Sequence, residues 1–168
     1  MSTLSQPDLL ILPSPVAPPS SSFKRFGLSF HAGASFPHGN FGQVFDPGLN
    51  LAGDLEFRIT PDVSLEGIFG YHRFGIQIPG SHLNLFQLSA NIKYYAPGTA
   101  VRPFFNFGGG VYNFDPGPAD GGINLGGGLM FPVNSNVALE GAYNFHNVFT
   151  SGANTRFSTL QGGIRFRF

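Results

Sequence analysis

Residues 84–95, NLFQLSANIKYY, alternate between apolar and polar side chains. One set contains Phe86, Leu88, Ala90, Ile92 and Tyr94, and the other contains Gln87, Ser89, Asn91 and Lys93. Successive side chains of a β-strand point to opposite faces of the sheet, so a period of two indicates a strand. The segment therefore predicts a strand whose two faces meet different surroundings.

Seven further segments show the same alternation. The eight predicted strands span residues 26–36, 49–59, 63–73, 84–95, 102–112, 123–131, 137–147 and 158–168. Short turns at 60–62, 97–99 and 134–136 alternate with longer loops near 37–48, 74–83, 113–122 and 148–157. Eight strands of about ten residues, with short turns at one end and longer loops at the other, are typical of membrane barrels. We therefore predict an all-β fold, a closed eight-stranded antiparallel up-and-down transmembrane β-barrel.

The longer loops carry the chemistry of tight turns. Asp46-Pro47-Gly48 lies in the first loop, and Asp115-Pro116-Gly117 lies in the third. Proline presets φ and glycine tolerates positive φ, so both tripeptides predict turns outside the strands.

The first 24 residues differ in composition from the rest of the chain. They are rich in Pro and Ser, which predicts a flexible or polyproline tether over residues 1–24 and a barrel over residues 25–168. The apolar run 9–12 has no basic region before it and is a poor signal peptide. If the protein is exported, we expect that a leader has been removed or that the recorded start is wrong.

Charge is scarce in this chain. Asp, Glu, Lys and Arg make up 11% of the residues, against about 25% in ordinary soluble proteins. The formal net charge is zero, which argues against nucleic acid as a partner. Cysteine is absent, which excludes disulfides and thiolate metal sites. A soluble domain would place more charge on its surface, so the composition favours a surface that meets lipid.

The alternation leaves open which face points outward. A soluble lipocalin-like barrel, which would bind an apolar ligand, has its apolar face inside. Here the polar set is mostly Gly, Ser, Asn and Gln, with too little charge for an aqueous exterior. The apolar set has many Phe and Tyr residues, and eight strands enclose only a narrow interior. We therefore expect the apolar face to meet lipid, with the small and polar residues inside.

Residues 46–74 align without gaps on residues 120–148, at a constant offset of 74. Identical pairs include Leu51 and Leu125, Glu66 and Glu140, and His72 and His146. The repeat predicts two related four-stranded halves; the alternative is that all such strands share one pattern.

The predicted inner face carries a balanced set of charges, which we call the lumen charge cluster. Its members are Asp54, Glu56, Glu66 and Glu140 with Arg58, Lys93, Arg165 and Arg167. The short turn at 60–62 would set Glu56 opposite Glu66, and adjacent carboxylates must share a proton or a cation. We expect Lys93 to pair with Glu66, and Arg165 with Glu140. Buried charges are tolerated only when they are paired, so the cluster predicts a plug that blocks conduction. A gate or proton relay is the alternative.

The last strand, LQGGIRFRF over residues 160–168, has Phe at its final position and apolar residues at alternate positions before it. This strand, with the pattern over residues 26–168, resembles the small outer-membrane barrels of the OmpA/OmpX-like superfamily. The resemblance implies a bacterial outer-membrane location, contact with outer-membrane lipid, and both termini and the short turns in the periplasm. It also implies that Ile164, Phe166 and Phe168 form the signal read by the outer-membrane assembly machinery. We expect a monomer.

Residues 143–149, YNFHNVF, faintly resemble eight-stranded barrels that deacylate lipid A. In that family a Ser nucleophile follows the His by two positions, but here the position is Val148. A triad needs a nucleophile within reach of its base. Inward histidines such as His31 and His72 are more often structural than metal ligands, and no calcium-loop spacing is present. We therefore expect no enzyme activity, cofactor or metal site.

Taken together, these patterns predict an integral outer-membrane barrel with a plugged polar lumen, acting as a structural anchor or surface-interaction protein. The alternative is a soluble lipocalin-like barrel that binds an apolar ligand. A lipid A-modifying outer-membrane hydrolase is the third reading.

Overall fold

The computed structural model describes residues 24–76, 81–97, 100–152 and 154–168, so residues 1–23 of the predicted tether lie outside it. The strands are β1 (Phe26–His38), β2 (Phe45–Arg58), β3 (Val63–Ile76), β4 (His82–Tyr95), β5 (Arg102–Asp115), β6 (Ala119–Pro132), β7 (Val137–Val148) and β8 (Thr155–Arg167). A four-residue helix, α1 (Gly39–Gly42), follows β1. No helix of the described chain is long and apolar enough to cross a membrane.

The strands form one closed sheet. Each strand pairs antiparallel with the next one in the chain, and β8 pairs with β1 along most of its length. Closure leaves no edge strand, so the strand backbone can satisfy its own hydrogen bonds without water. The predicted fold, a closed eight-stranded antiparallel β-barrel, is confirmed.

The two faces of the wall differ in chemistry. Large hydrophobic side chains point outward and stay exposed, among them Phe30, Leu55, Leu88, Phe105 and Leu125. The side chains that point inward are mostly polar or charged, and they are buried. A soluble lipocalin-like barrel needs its apolar face inside, so that alternative is wrong.

The connections at the loop end are shorter than the sequence pattern predicts, because the strands extend past the predicted boundaries. The predicted turn at Asp46-Pro47-Gly48 is wrong, since these residues lie inside β2. The register of β2 against β3 shifts between Asp46 and Leu49. A bulge of this kind accepts a proline, which has no N–H to donate to the ladder. The tripeptide Asp115-Pro116-Gly117 does leave the sheet at the end of β5.

Apolar side chains form a buried group toward each end of the interior. We call the first group the loop-end cap; it contains Phe74, Leu85, Tyr112, Val148 and Phe157, with Phe41, Phe45, Leu83 and Phe114 packed against it. The second group, the turn-end cap, contains Tyr95, Phe104, Met130, Ala138 and Ala142. Phe41 belongs to α1, so the helix covers the loop-end mouth. The polar part of the lumen therefore lies between two apolar layers.

Glycine lets two strands approach closely inside the barrel. Gly108 and Gly110 face the lumen from β5, opposite Asn91 and Ser89 of β4. A Cβ on Gly108 would collide with the Asn91 side chain and the Ala90 carbonyl oxygen. The narrow interior thus explains why these positions have no side chain.

A charged substitution tests whether the outer wall faces lipid. Leu88 lies near the centre of β4 and is 60% exposed on the apolar face. Leu88→Arg should lower the free energy of unfolding by about 2–4 kcal/mol in phospholipid vesicles, because an arginine near the bilayer midplane is poorly solvated. Gln43→Arg places the same charge in the exposed connection before β2 and should change it by less than about 0.5 kcal/mol. Equal effects in urea titrations would contradict the lipid-facing assignment.

Candidate functional site in the barrel lumen

Arg165 occupies the centre of the lumen charge cluster and is fully buried. Its Nε donates to Glu140 Oε1 (2.6 Å), and its Nη2 donates to Glu66 Oε1 (2.9 Å). Nη2 also lies 3.1 Å from Asp54 Oδ1, and Nη1 donates to Glu56. One side chain of β8 thus binds four acidic residues from β2, β3 and β7.

Lys93 is the second buried cation. Its Nζ donates to Glu66 Oε1 (3.0 Å) and to Glu140 Oε2 (3.2 Å). The ammonium group also lies 3.9 Å from the centroid of the Phe104 ring, in the turn-end cap, which is a favourable cation–π distance. The sequence predicts that Lys93 pairs with Glu66 and Arg165 with Glu140. In the structure each of the two cations contacts both of these carboxylates.

The β2–β3 turn sets Glu56 directly opposite Glu66, the pairing that its short length predicts. Glu56 accepts hydrogen bonds from the Tyr95 hydroxyl (3.0 Å) and from Arg58 Nε (3.3 Å). Glu66 is bound by Lys93 and Arg165, and Arg165 also binds Glu56. The cations offset the repulsion between two carboxylates that face each other across a strand pair.

His31 belongs to this site, although the sequence places it only on the inner face. Its Nδ1 lies 3.3 Å from Asp54 Oδ2, and its Nε2 lies 3.4 Å from Glu140 Oε2. Asp54 comes from the neighbouring strand, whereas Glu140 comes from β7, which β8 separates from β1. Contacts across a lumen depend on side-chain reach, and period-two alternation carries no information about it.

Arg167 stands apart from the other seven members of the cluster. Its Nη2 donates to the Asn134 carbonyl oxygen (3.3 Å) at the β6–β7 turn. It forms no ion pair with any carboxylate in the described part of the chain. Arg167 lies two residues beyond Arg165, at the end of β8, and so reaches the rim of the barrel.

The predicted assembly-signal residues lie on the outer side of β8. Ile164 is opposite Phe30 of β1, and Phe166 is opposite Leu28. Phe168 follows β8 and is 67% exposed. All three therefore belong to the apolar outer wall, and their recognition by the assembly machinery stays a prediction.

Neutral amides fill the lumen next to the charge cluster. Asn91 Nδ2 donates to Asn124 Oδ1 (2.7 Å), and Asn106 Nδ2 donates to Asn144 Oδ1 (3.0 Å). Each pair joins two strands that are separated by one strand in the sheet, so the amides link non-adjacent strands of the barrel.

His72 and His146 lie between these amides and the loop-end cap. His72 Nδ1 is within hydrogen-bond distance of Ser35 Oγ (2.9 Å), and its Nε2 is within that distance of Gln87 Oε1 (3.1 Å). His146 Nδ1 lies 3.0 Å from the Tyr112 hydroxyl, and its ring stacks on Phe157 at 4.5 Å. No group of three or more His, Asp or Glu residues in the described chain is arranged to hold a metal ion.

The structure places no nucleophile where the hydrolase reading needs one. Val148 stands two residues after His146 and is fully buried in the loop-end cap. The neighbour of the His146 ring is instead the Tyr112 hydroxyl. This environment is that of a packed structural histidine.

The repeated residues meet inside the barrel. Glu66 and Glu140, which correspond at the offset of 74, both contact Lys93. His72 and His146, which also correspond, have ring centroids 5.8 Å apart. The two halves of the sequence therefore contribute equivalent residues to the same layers of the lumen.

Two small cavities lie in the lumen. One cavity of about 20 Å³ is lined by His72, His146 and surrounding amides, and one of about 30 Å³ is lined by residues of the charge cluster. Each can hold one or two water molecules, because a water needs roughly 10–15 Å³ of such volume and two to four polar partners. Neither cavity is large enough for a hydrated ion with its shell.

The cluster can be tested at Lys93. Lys93→Met leaves Glu66 and Glu140 buried with too few cations, which should lower the free energy of unfolding by about 3–5 kcal/mol. Lys24→Met removes the other lysine of the chain, whose Nζ donates to Asn136 Oδ1 at an exposed site, and should change it by less than about 0.5 kcal/mol. Urea titrations of both variants would measure the difference. Similar values would mean that the ion pairs do not support the fold.

A closed eight-stranded barrel with an apolar outer wall and a packed polar interior defines a class, the small transmembrane β-barrels. The family model for the outer membrane protein beta-barrel domain matches residues 9–168. Because the match covers most of the chain, the protein belongs to this family of bacterial outer-membrane barrels.

Solved structures show the same fold. Neisserial surface protein A (NspA) is 17% identical, with a TM-score of 0.74, over 85% of this chain and 97% of that one. OprG from Pseudomonas aeruginosa is 11% identical, with a TM-score of 0.60, over 86% and 97%. Ail, the attachment invasion locus protein of Yersinia pestis, is 15% identical, with a TM-score of 0.57, over 86% and 99%. No curated protein sequence matches the chain. At these identities the likeness shows the fold alone.

Proposed function

We propose that the protein is an integral barrel of the bacterial outer membrane whose lumen is closed by the charge cluster, and that it acts as a structural anchor or surface-contact element. The observation that carries the closed lumen is the set of contacts between Arg165 and four carboxylates from three other strands. A conducting pore would need a continuous aqueous path, and these side chains occupy it.

The two caps support the same proposal. The loop-end cap packs five buried apolar side chains over the histidine layer, and the turn-end cap packs five more beside the charges. Apolar layers exclude water, which strengthens the ion pairs between them. An ion would have to pass both caps and break the Arg165 contacts.

The connections at the loop end bear on the choice between anchor and surface contact. They comprise residues 39–44, 77–81, 116–118 and 149–154, and α1 folds back onto the loop-end cap. Such short connections offer a small contact surface, so we place the anchor role first. Outer-membrane lipid and the assembly machinery are the proposed partners, and the proposed state is a monomer without enzyme activity.

Insertion into a membrane can be measured directly. The purified chain should fold only with detergent or lipid, because the apolar outer wall would be exposed to water otherwise. Circular dichroism should report the sheet only under those conditions, and the folded barrel should migrate differently on a gel before and after boiling. Folding as a soluble monomer in plain buffer would overturn the proposal.

Conductance tests the closed lumen. The unmodified protein should give no steady current in a planar bilayer. Glu56→Gln with Glu66→Gln removes two charges that hold Arg165, so the double variant should lose stability and show current steps. Asp115→Asn with Asp120→Asn changes the same number of carboxylates at the loop end and should behave like the unmodified protein. If the first variant kept its stability and showed no current, the proposed closed lumen would be wrong. A steady current through the unmodified protein would contradict it as well.

A further inference from the structure

Three arginines come together where β1, β2 and β8 reach the turn end of the barrel. Arg58 ends β2, Arg167 ends β8, and Arg25 directly precedes β1. The Arg58 N–H donates to the Arg25 carbonyl oxygen (2.7 Å), and Arg167 lies opposite Gly27 in the β1–β8 register. We call Arg25, Arg58 and Arg167 the turn-end arginine cluster.

Two guanidinium nitrogens of this cluster are buried without a hydrogen-bond partner among the described residues. They are Nη2 of Arg58 and Nε of Arg167. Arg58 is only 7% exposed, and its guanidinium is held over the Tyr95 ring, 4.9 Å from the centroid. A buried donor without an acceptor costs free energy, and the cost is larger for a charged group. The geometry therefore leaves two fixed cationic donors that lack an acceptor.

The carboxylates at this end are already engaged. Glu56 accepts from Arg58 Nε (3.3 Å), but it also binds Arg165 and the Tyr95 hydroxyl. Asp62 lies 2.6 Å from Arg102 Nη2. Neither carboxylate forms an ion pair with Arg167.

Charge is also distributed unequally along the barrel. The turn-end half has seven basic side chains, namely Lys24, Arg25, Arg58, Lys93, Arg102, Arg165 and Arg167. It has five acidic ones, namely Asp54, Glu56, Asp62, Glu66 and Glu140. In the described loop-end half, two arginines face three aspartates. The field at the turn end therefore favours an anion.

We propose that the turn-end arginine cluster binds a phosphate group, with Arg58 and Arg167 as its main donors. A guanidinium presents a planar fork of N–H groups that matches phosphate oxygens, so two adjacent arginines form a suitable cradle. Free phosphate and a phospholipid headgroup share this chemistry. The exposed rings of Phe26, Phe57 and Phe168 lie beside the cluster on the outer wall, where the acyl chains of a bound phospholipid would run.

The first experiment titrates inorganic phosphate into the full chain folded in a phosphate-free maltoside detergent, at constant ionic strength set with chloride. Phosphate should raise the midpoint of thermal unfolding in a saturable manner, because it binds the folded state only. Arg167→Gln should weaken phosphate binding by at least about tenfold, the loss expected for a charge-assisted contact. Arg167→Lys keeps the charge but loses the planar fork of N–H groups. Its affinity for phosphate should lie between those of the unmodified protein and Arg167→Gln.

Arg156→Gln is the matched control. It removes the same charge from the same strand, but at the loop end, where Arg156 Nε donates to Asn147 Oδ1. This variant should respond to phosphate like the unmodified protein. If Arg167→Gln fails to fold, Arg25→Gln removes a neighbouring cation from the exposed edge of the cluster and should weaken phosphate binding in the same direction.

The second experiment identifies the source of the phosphate. Phosphatidylglycerol is titrated into the same detergent micelles in place of inorganic phosphate. Protection at a concentration at least about tenfold lower than that of phosphate assigns the site to a lipid headgroup, whereas equal concentrations assign it to the free anion. Whichever ligand binds, Arg167→Gln must lose the ligand-induced rise in the midpoint of thermal unfolding. The proposal is overturned if neither ligand shifts the midpoint beyond chloride, or if Arg167→Gln and Arg156→Gln respond alike.

Discussion

The interior of this barrel depends on one guanidinium group. Arg165 is fully buried and contacts Asp54, Glu56, Glu66 and Glu140, so β8 is joined chemically to β2 and β3 besides β1 and β7, with which it pairs. Desolvating so many charges is costly, and only good geometry with several hydrogen bonds offsets the cost. Apolar clusters lie on either side of these charges, and an apolar environment raises both the penalty of a missing partner and the strength of each completed pair. The wall and the lumen thus support each other.

The lumen changes character along the barrel axis. Charges lie near the turn end, neutral amides follow, two histidines come next, and aromatic side chains close the loop end. Several hydrogen bonds and ring contacts join residues within one layer. Membership of an outer-membrane barrel family agrees with such an interior. Lipid outside the wall does not solvate polar side chains, so these side chains must point into the barrel.

Much of this could be predicted from sequence, because a period of two sorts the residues of each strand onto two faces, and the composition of those faces indicates which one meets lipid. The short β2–β3 turn also fixes the register, and so it places Glu56 opposite Glu66. Alternation says nothing about contacts across the lumen, which is why the position of His31 between Asp54 and Glu140 was not predicted. The turn predicted at Asp46-Pro47-Gly48 is wrong, because a bulge inside β2 accommodates the proline. Arg167 has the same parity as Arg165, and only its distance along β8 separates it from the carboxylates.

The location of Arg165 on the last strand has a consequence for the order of assembly. Before β8 is in place, the basic residues that the described part of the earlier strands pairs with these four carboxylates are Arg58 and Lys93, with the His31 imidazole beside Asp54 and Glu140. An interior with unbalanced charge retains water, and a hydrated interior resists closing. When β8 pairs with β1 and β7, it completes the sheet and brings Arg165 to the four carboxylates in the same event. The chain therefore has a chemical means of distinguishing a finished barrel from one that lacks its final strand.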